Sequence, residues 1–119
     1  MRTYKDLDVW KESKDLVVKV YLITKDYPNE ELFGLKSQIR RSAISVPSNI
    51  AEGCGRSSSK ETVHFLHISR GSIYELETQL IISNELNYIS GLELKNILSQ
   101  IESCKKLING FINYYKKLQ

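Results

Sequence analysis

Leu94, Ile97, Ile101, Cys104, Ile108, Phe111, Tyr115 and Leu118 recur at spacings of three and four without a miss. That period lays one apolar stripe along a helix roughly 36 Å long, at about 1.5 Å per residue. A stripe of this length is stable in water only when other helices cover it, so the C-terminal quarter already calls for a helical bundle.

The rest of the chain supplies matching partners. Val9, Ser13, Leu16, Val20, Ile23 and Tyr27 form a similar line, with Thr3 or Asp6 available to cap its start and Pro28 to stop it. A second helix is expected from Asn29 to Glu31 onward through Leu32, Leu35, Ile39, Ala43, Val46 and Ile50. Pro47 falls inside it and predicts a bend, because proline removes one donor and crowds the carbonyl four residues back. Gly53 and Gly55 supply a stop. Ser58 and Glu61 have capping-box spacing before the line Leu66, Ser69, Ile73, Leu76, Leu80, Ser83, and Ser90 and Glu93 repeat it before the last helix. The expected helices are 7–26, 30–52, 59–86 and 91–117, with short connections, hence one all-α domain over residues 1–119 with the up-down-up-down order of an antiparallel four-helix bundle. Six glycines and two prolines are too few for an all-β chain of many turns.

Two features exceed what a lone bundle requires. The run from Leu16 to Ile23 is apolar nearly all the way round, and helix 3 adds Leu80, Ile81 and Ile82, which predicts a homo-oligomer. Charge is the other. The net charge is only +3, but residues 36–70 carry six bases against two acids, while the remainder sums to −1. Arg40, Arg41, Arg56, Lys60 and Arg70 are read as crowding around the loop from Gly53 to Ser59, where they would neutralise phosphates of nucleic acid. Intramolecular pairing with acids such as Glu52 competes with that reading.

Other chemistry finds little support. Glu61 and His64 have the Glu-x-x-His spacing of di-iron bundles, but those sites need a second such motif and two more glutamates. His64 and His67 lack further ligands at zinc spacing, so neither a metal nor a cofactor is expected. The segment from Gly53 to Lys60 departs from a phosphate-binding loop, since Ser59 precedes the lysine and Glu61 follows it. A more general anion site at the start of helix 3, beside Arg56 and Lys60, survives. Cys54 is read as a loop thiol and Cys104 as an inert core residue. Trp10, Tyr21 and Phe111 fall on core-facing positions, leaving Tyr114 as the free aromatic. No stretch is apolar enough to span a bilayer, and Met1 to Asp6 has no apolar signal-type segment, so the cytoplasm is the expected compartment.

The segment from Gly34 through Ile39-Arg-Arg-Ser-Ala-Ile-Ser-Val-Pro-Ser-Asn-Ile-Ala-Glu-Gly-Cys-Gly-Arg56 resembles a specific family. So do Tyr4-Lys-Asp-Leu-Asp-Val-Trp10, the Tyr27-Pro28 pair before Glu31-Leu-Phe-Gly-Leu35, and Gly71-Ser-Ile-Tyr-Glu-Leu-Glu-Thr-Gln-Leu80. The family comprises small bundles first noticed as reading frames in intervening sequences of bacterial 23S ribosomal RNA genes and labelled ribosomal-protein-like. The resemblance implies a left-handed bundle, assembly as a five-fold ring with a positive surface, and no established enzymatic activity. It also implies kinship with accessory proteins of diversity-generating retroelements, which bind nucleic acid together with a reverse transcriptase. In the shared motif Pro47 would supply the bend, Asn49 side-chain bonds to nearby backbone, and Glu52 a pair with Arg41 or Arg56, with Gly53 closing the helix; Arg40, Arg56 and Lys60 would be the better phosphate contacts.

The expected function is therefore a non-catalytic pentameric bundle that binds RNA or DNA through backbone phosphates with little sequence preference. Its partners would be itself, nucleic acid and a nucleic-acid enzyme. The competing reading is a protein-interaction scaffold without a direct nucleic-acid role.

Overall fold

At most of the helix starts a side chain accepts from otherwise unpaired backbone amides. In the computed structural model, which describes residues 3–119 and so leaves Met1 and Arg2 outside the described residues, Thr3 and Asp6 close a capping box. The box belongs to a 3-10 turn over Tyr4–Asp6, and helix α1 runs separately over Asp8–Thr24 from an uncapped Leu7. Helix α3 spans Ser59–Glu85, with Ser58 Oγ accepting from the Glu61 amide at 3.2 Å. Helix α4 spans Gly91–Lys116 behind a complete Ser90 and Glu93 box. Asn87, at φ 64°, turns the chain between them in the left-handed region that asparagine tolerates better than most residues.

Helix α2 covers Leu35–Cys54 and begins five residues later than its apolar spacing suggests. Asn29–Glu31 is instead a 3-10 turn, and Leu32 is exposed rather than in the core. Glu31 explains the displacement: one of its carboxylate oxygens accepts from the Leu35 amide (3.1 Å) and the other from the Tyr88 hydroxyl (2.9 Å). The acid that would have begun the helix thus caps it from outside and ties it to the α3–α4 connection.

Helix α1 packs on α2, α2 on α3, α3 on α4, and α4 closes back onto α1, while α1 and α3 stand diagonally opposed. No strand occurs among the described residues, and the bundle measures 45 × 25 × 24 Å. Leu16, Val20, Ile39, Val46, Ile50, Leu66, Ile73, Leu76, Leu80, Ile97, Ile101 and Ile108 are fully buried along its axis. The α4 line drifts at its end: Ile112 is buried while Phe111 is partly covered and Leu118 is exposed. A straight helix at 3.6 residues per turn rotates away from a 3.5-residue repeat by about 20° per heptad. On α1 the same drift buries Thr24 in preference to Ile23.

The α2–α3 pair makes the most extensive contact, and small residues line it. Ser69 Oγ donates to the Val46 carbonyl (2.8 Å), Ser72 Oγ to Ser45 Oγ (2.8 Å), and Thr62 Oγ1 to the Gly53 carbonyl (2.8 Å). Helix α2 continues through Pro47, and Asn49 Nδ2 donates to the Ser45 carbonyl (2.8 Å) one turn below. Gly53 lies inside the helix and does not end it; Gly55 is the C-cap, in an ordinary right-handed conformation. A Cβ on Gly53 would sit 3.1 Å from Phe65 Cβ and 3.2 Å from the Thr62 carbonyl oxygen. Gly53→Val is therefore expected to lower stability by about 1–3 kcal/mol through overpacking, read by urea unfolding.

Candidate nucleic-acid interface and assembly surfaces

The five basic residues expected around one loop are distributed along the bundle. Arg40 and Arg41 lie near the start of α2, about 20 Å along the axis from its end at Cys54, and Arg70 is about 15 Å along α3 from Lys60. Crowding in sequence did not become crowding in space, because helix rise separates residues that a loop would have gathered.

Arg40, a favoured phosphate contact, has a structural occupation. Its Nε donates to Thr24 Oγ1 (3.0 Å), Nη2 donates to the Tyr21 carbonyl (3.2 Å), and the guanidinium stacks over the Tyr21 ring. The second bond satisfies one of the open carbonyls in the last turn of α1, and the guanidinium lies at the negative end of that helix's dipole. Tyr21 is consequently exposed beneath the arginine and does not enter the core. Arg56 pairs with Glu52 and lies over Phe65, which selects between the two partners expected for that glutamate. The pair is solvent-exposed, so a phosphate can compete with Glu52 for the guanidinium at little cost. Arg41 and Lys60 are exposed and have no ion-pair partner among the described residues. Lys60 and Arg56 border an open depression at the start of α3 with Ser58, Glu61, His64 and Phe65. On α4, Lys105 is held by Glu77 (2.9 Å) and Glu102 (2.8 Å) under Tyr74, and so serves as a clamp between α3 and α4.

The thiols are quiet. Cys54 ends α2 and is not in a loop; burial pushes its thiol up, despite Arg56 two residues on. Burial, with Glu12 nearby, pushes the Cys104 thiol up to about 12. No group of three or more His, Cys, Asp or Glu side chains among the described residues is gathered to hold a metal ion. No helix among them is long and apolar enough to cross a membrane.

Apolar side chains are exposed at several places, Phe33 and Leu92 among them, and two groups lie on the diagonally opposed helices α1 and α3. On α1, Val18 and Leu22 are 56% and 66% exposed, and Ile44 continues the patch on α2. Between those helices runs a groove of about 340 Å³ floored by Trp10, Val17, Pro47 and Ala51. Trp10 is thus a groove residue as well as a partner of the core. The second patch is Ile81 and Ile82 on the far half of α3, with Leu86 at its C-cap, diagonally across the bundle. The hydrophobic run of α1 signalled the first patch in sequence. Ile44 carried no such signal, because it lies off the buried line of Ala43 and Val46 and has no apolar run of its own.

Residues 5–110 match the model of the 23S rRNA-intervening sequence protein family. The chain belongs to that family. The fold is similar to the solved structure of a protein of unknown function from the S23 ribosomal protein family of Bacteroides thetaiotaomicron. The two are 25% identical with a TM-score of 0.82, over 88% of this chain and 95% of the other. No curated protein matches. Within the matched span, Gly53 sits where α2 meets α3, Pro47 lines the groove between α1 and α2, and Asn49 bonds back to Ser45 inside α2.

Proposed function

We infer that this family member is a non-catalytic, cytoplasmic homo-oligomer, a pentamer of single-domain bundles, that binds RNA or DNA through backbone phosphates with little sequence preference. The observation that carries the reading is the pair of apolar patches on diagonally opposed helices. A contact that joins two different faces of identical subunits is head-to-tail, and such a contact closes into a ring when its rotation divides a full turn. Ring closure then repeats Arg41, Arg56 and Lys60 around one assembly, which turns a modest charge per subunit into a multivalent polyanion surface. Arg40 is removed from the contact set by its bonds to α1. A nucleic-acid enzyme would meet the ring through the RNA or DNA they share.

Sedimentation of the full chain at micromolar concentration tests the assembly: a species of five times 13.7 kDa is expected, and a monomer contradicts it. The groove beside Trp10 favours a second reading, a scaffold for an apolar protein partner. Capture of a partner that survives nuclease treatment, together with no affinity for nucleic acid, would select the scaffold.

A further inference from the structure

Helices α3 and α4 bring together His64, His67 and Arg70 from one and Asn109 and Lys116 from the other. Arg70 Nη1 donates to Asn109 Oδ1 at 3.0 Å, and Nη2 lies 2.9 Å from His67 Nδ1. A guanidinium has only donors, so Nδ1 presents a lone pair and the ring is neutral with its proton on Nε2. Burial, then Arg70 and His64 from its own helix and Lys116 from α4, hold the His67 pKa below the ordinary imidazole value. No carboxylate stands among the groups that act on it. A proton placed on Nδ1 sets a donor against a donor and a cation against a cation. The contact then breaks, leaving Arg70 held by Asn109 alone at a partly buried position.

We propose that His67 is a proton-operated latch on Arg70, whose release adds a guanidinium to the α3 and α4 face beside Lys116 and makes that face bind nucleic-acid phosphates more tightly as pH falls. The proposal rests on the phosphate-binding reading above and adds to its contacts, Arg41, Arg56 and Lys60, a fourth that is regulated by pH. Its sign follows from linkage: phosphate favours the imidazolium, so binding takes up a proton and affinity rises as pH drops through the His67 titration.

Fluorescence anisotropy with a labelled mixed-sequence single-stranded RNA, at fixed salt between about pH 7.5 and about pH 5.5, reads the effect. Wild-type affinity is expected to rise roughly five-fold, the net size of one typical added hydrogen bond. His67→Gln, which keeps an acceptor for Arg70 but takes no proton, loses that gain, while His64→Gln keeps it. Arg70→Met moves the His67 titration midpoint upward, followed by proton NMR without RNA. A His67→Gln variant with the full wild-type gain, or an unmoved midpoint in Arg70→Met, overturns the latch. RNA binding without these differences overturns the latch alone, whereas no RNA binding at any pH overturns the phosphate-binding reading with it.

Discussion

Leu22→Asp, combined with Val18→Asp, will dissociate the assembly to monomers while leaving helical content and thermal cooperativity essentially intact. Both side chains are more than half exposed in the single subunit, so neither contributes to the core. In the ring each would be covered, and a carboxylate covered without a partner costs about 3–5 kcal/mol. Each 1.4 kcal/mol is about tenfold in an association constant, and a closed ring repeats the cost at every junction. Sedimentation velocity measures the mass and circular dichroism the fold. A variant that remains oligomeric would remove the α1 face from the interface. The contrasting control is Leu76→Ala, fully buried between helices, which is expected to unfold the domain and not merely dissociate it.

The second large effect is on nucleic acid. Arg41→Ala, Arg56→Ala and Lys60→Ala together will abolish most of the affinity and flatten its salt dependence. Three phosphate contacts correspond to a log–log slope of about −2.7 on duplex DNA, or about −2.1 on a single strand, for each subunit engaged. With two subunits in contact, affinity falls about a thousandfold between about 50 and 200 mM salt in the wild type and far less in the variant. Arg40→Ala behaves differently: it opens the capped end of α1 and lowers stability, with little change in slope.

What the sequence made legible was governed by periodicity. Four apolar lines at three and four spacing specify four helices, and both the Ser58 and Ser90 signals mark true starts. The start of α2 escaped because Glu31 reads equally well as a first-turn acid and as an external cap. Only its tertiary bond to Tyr88, 57 residues away, distinguishes the two. Gly53 was misread for a related reason. A glycine near a helix end has the local signature of a stop, while its actual role, admitting Thr62 and Phe65, depends on a neighbouring helix. The basic patch was legible as composition but not as geometry. A count of charges along the chain contains no information about helix rise, nor about which arginines are already bonded to carbonyls. Arg40 and Arg70 both hold intramolecular partners, and Asn109 and Lys116 reach Arg70 and His67 only because α4 packs on α3.

An oligomeric bundle that holds nucleic acid by charge must lose affinity as salt rises. The most direct measurement is the affinity of the full chain for a mixed-sequence RNA as a function of monovalent salt, at a protein concentration where its mass is known. A log–log slope of about −2 or steeper, equal for unrelated sequences, is the predicted result. A slope near zero, or no binding at low salt, would contradict it.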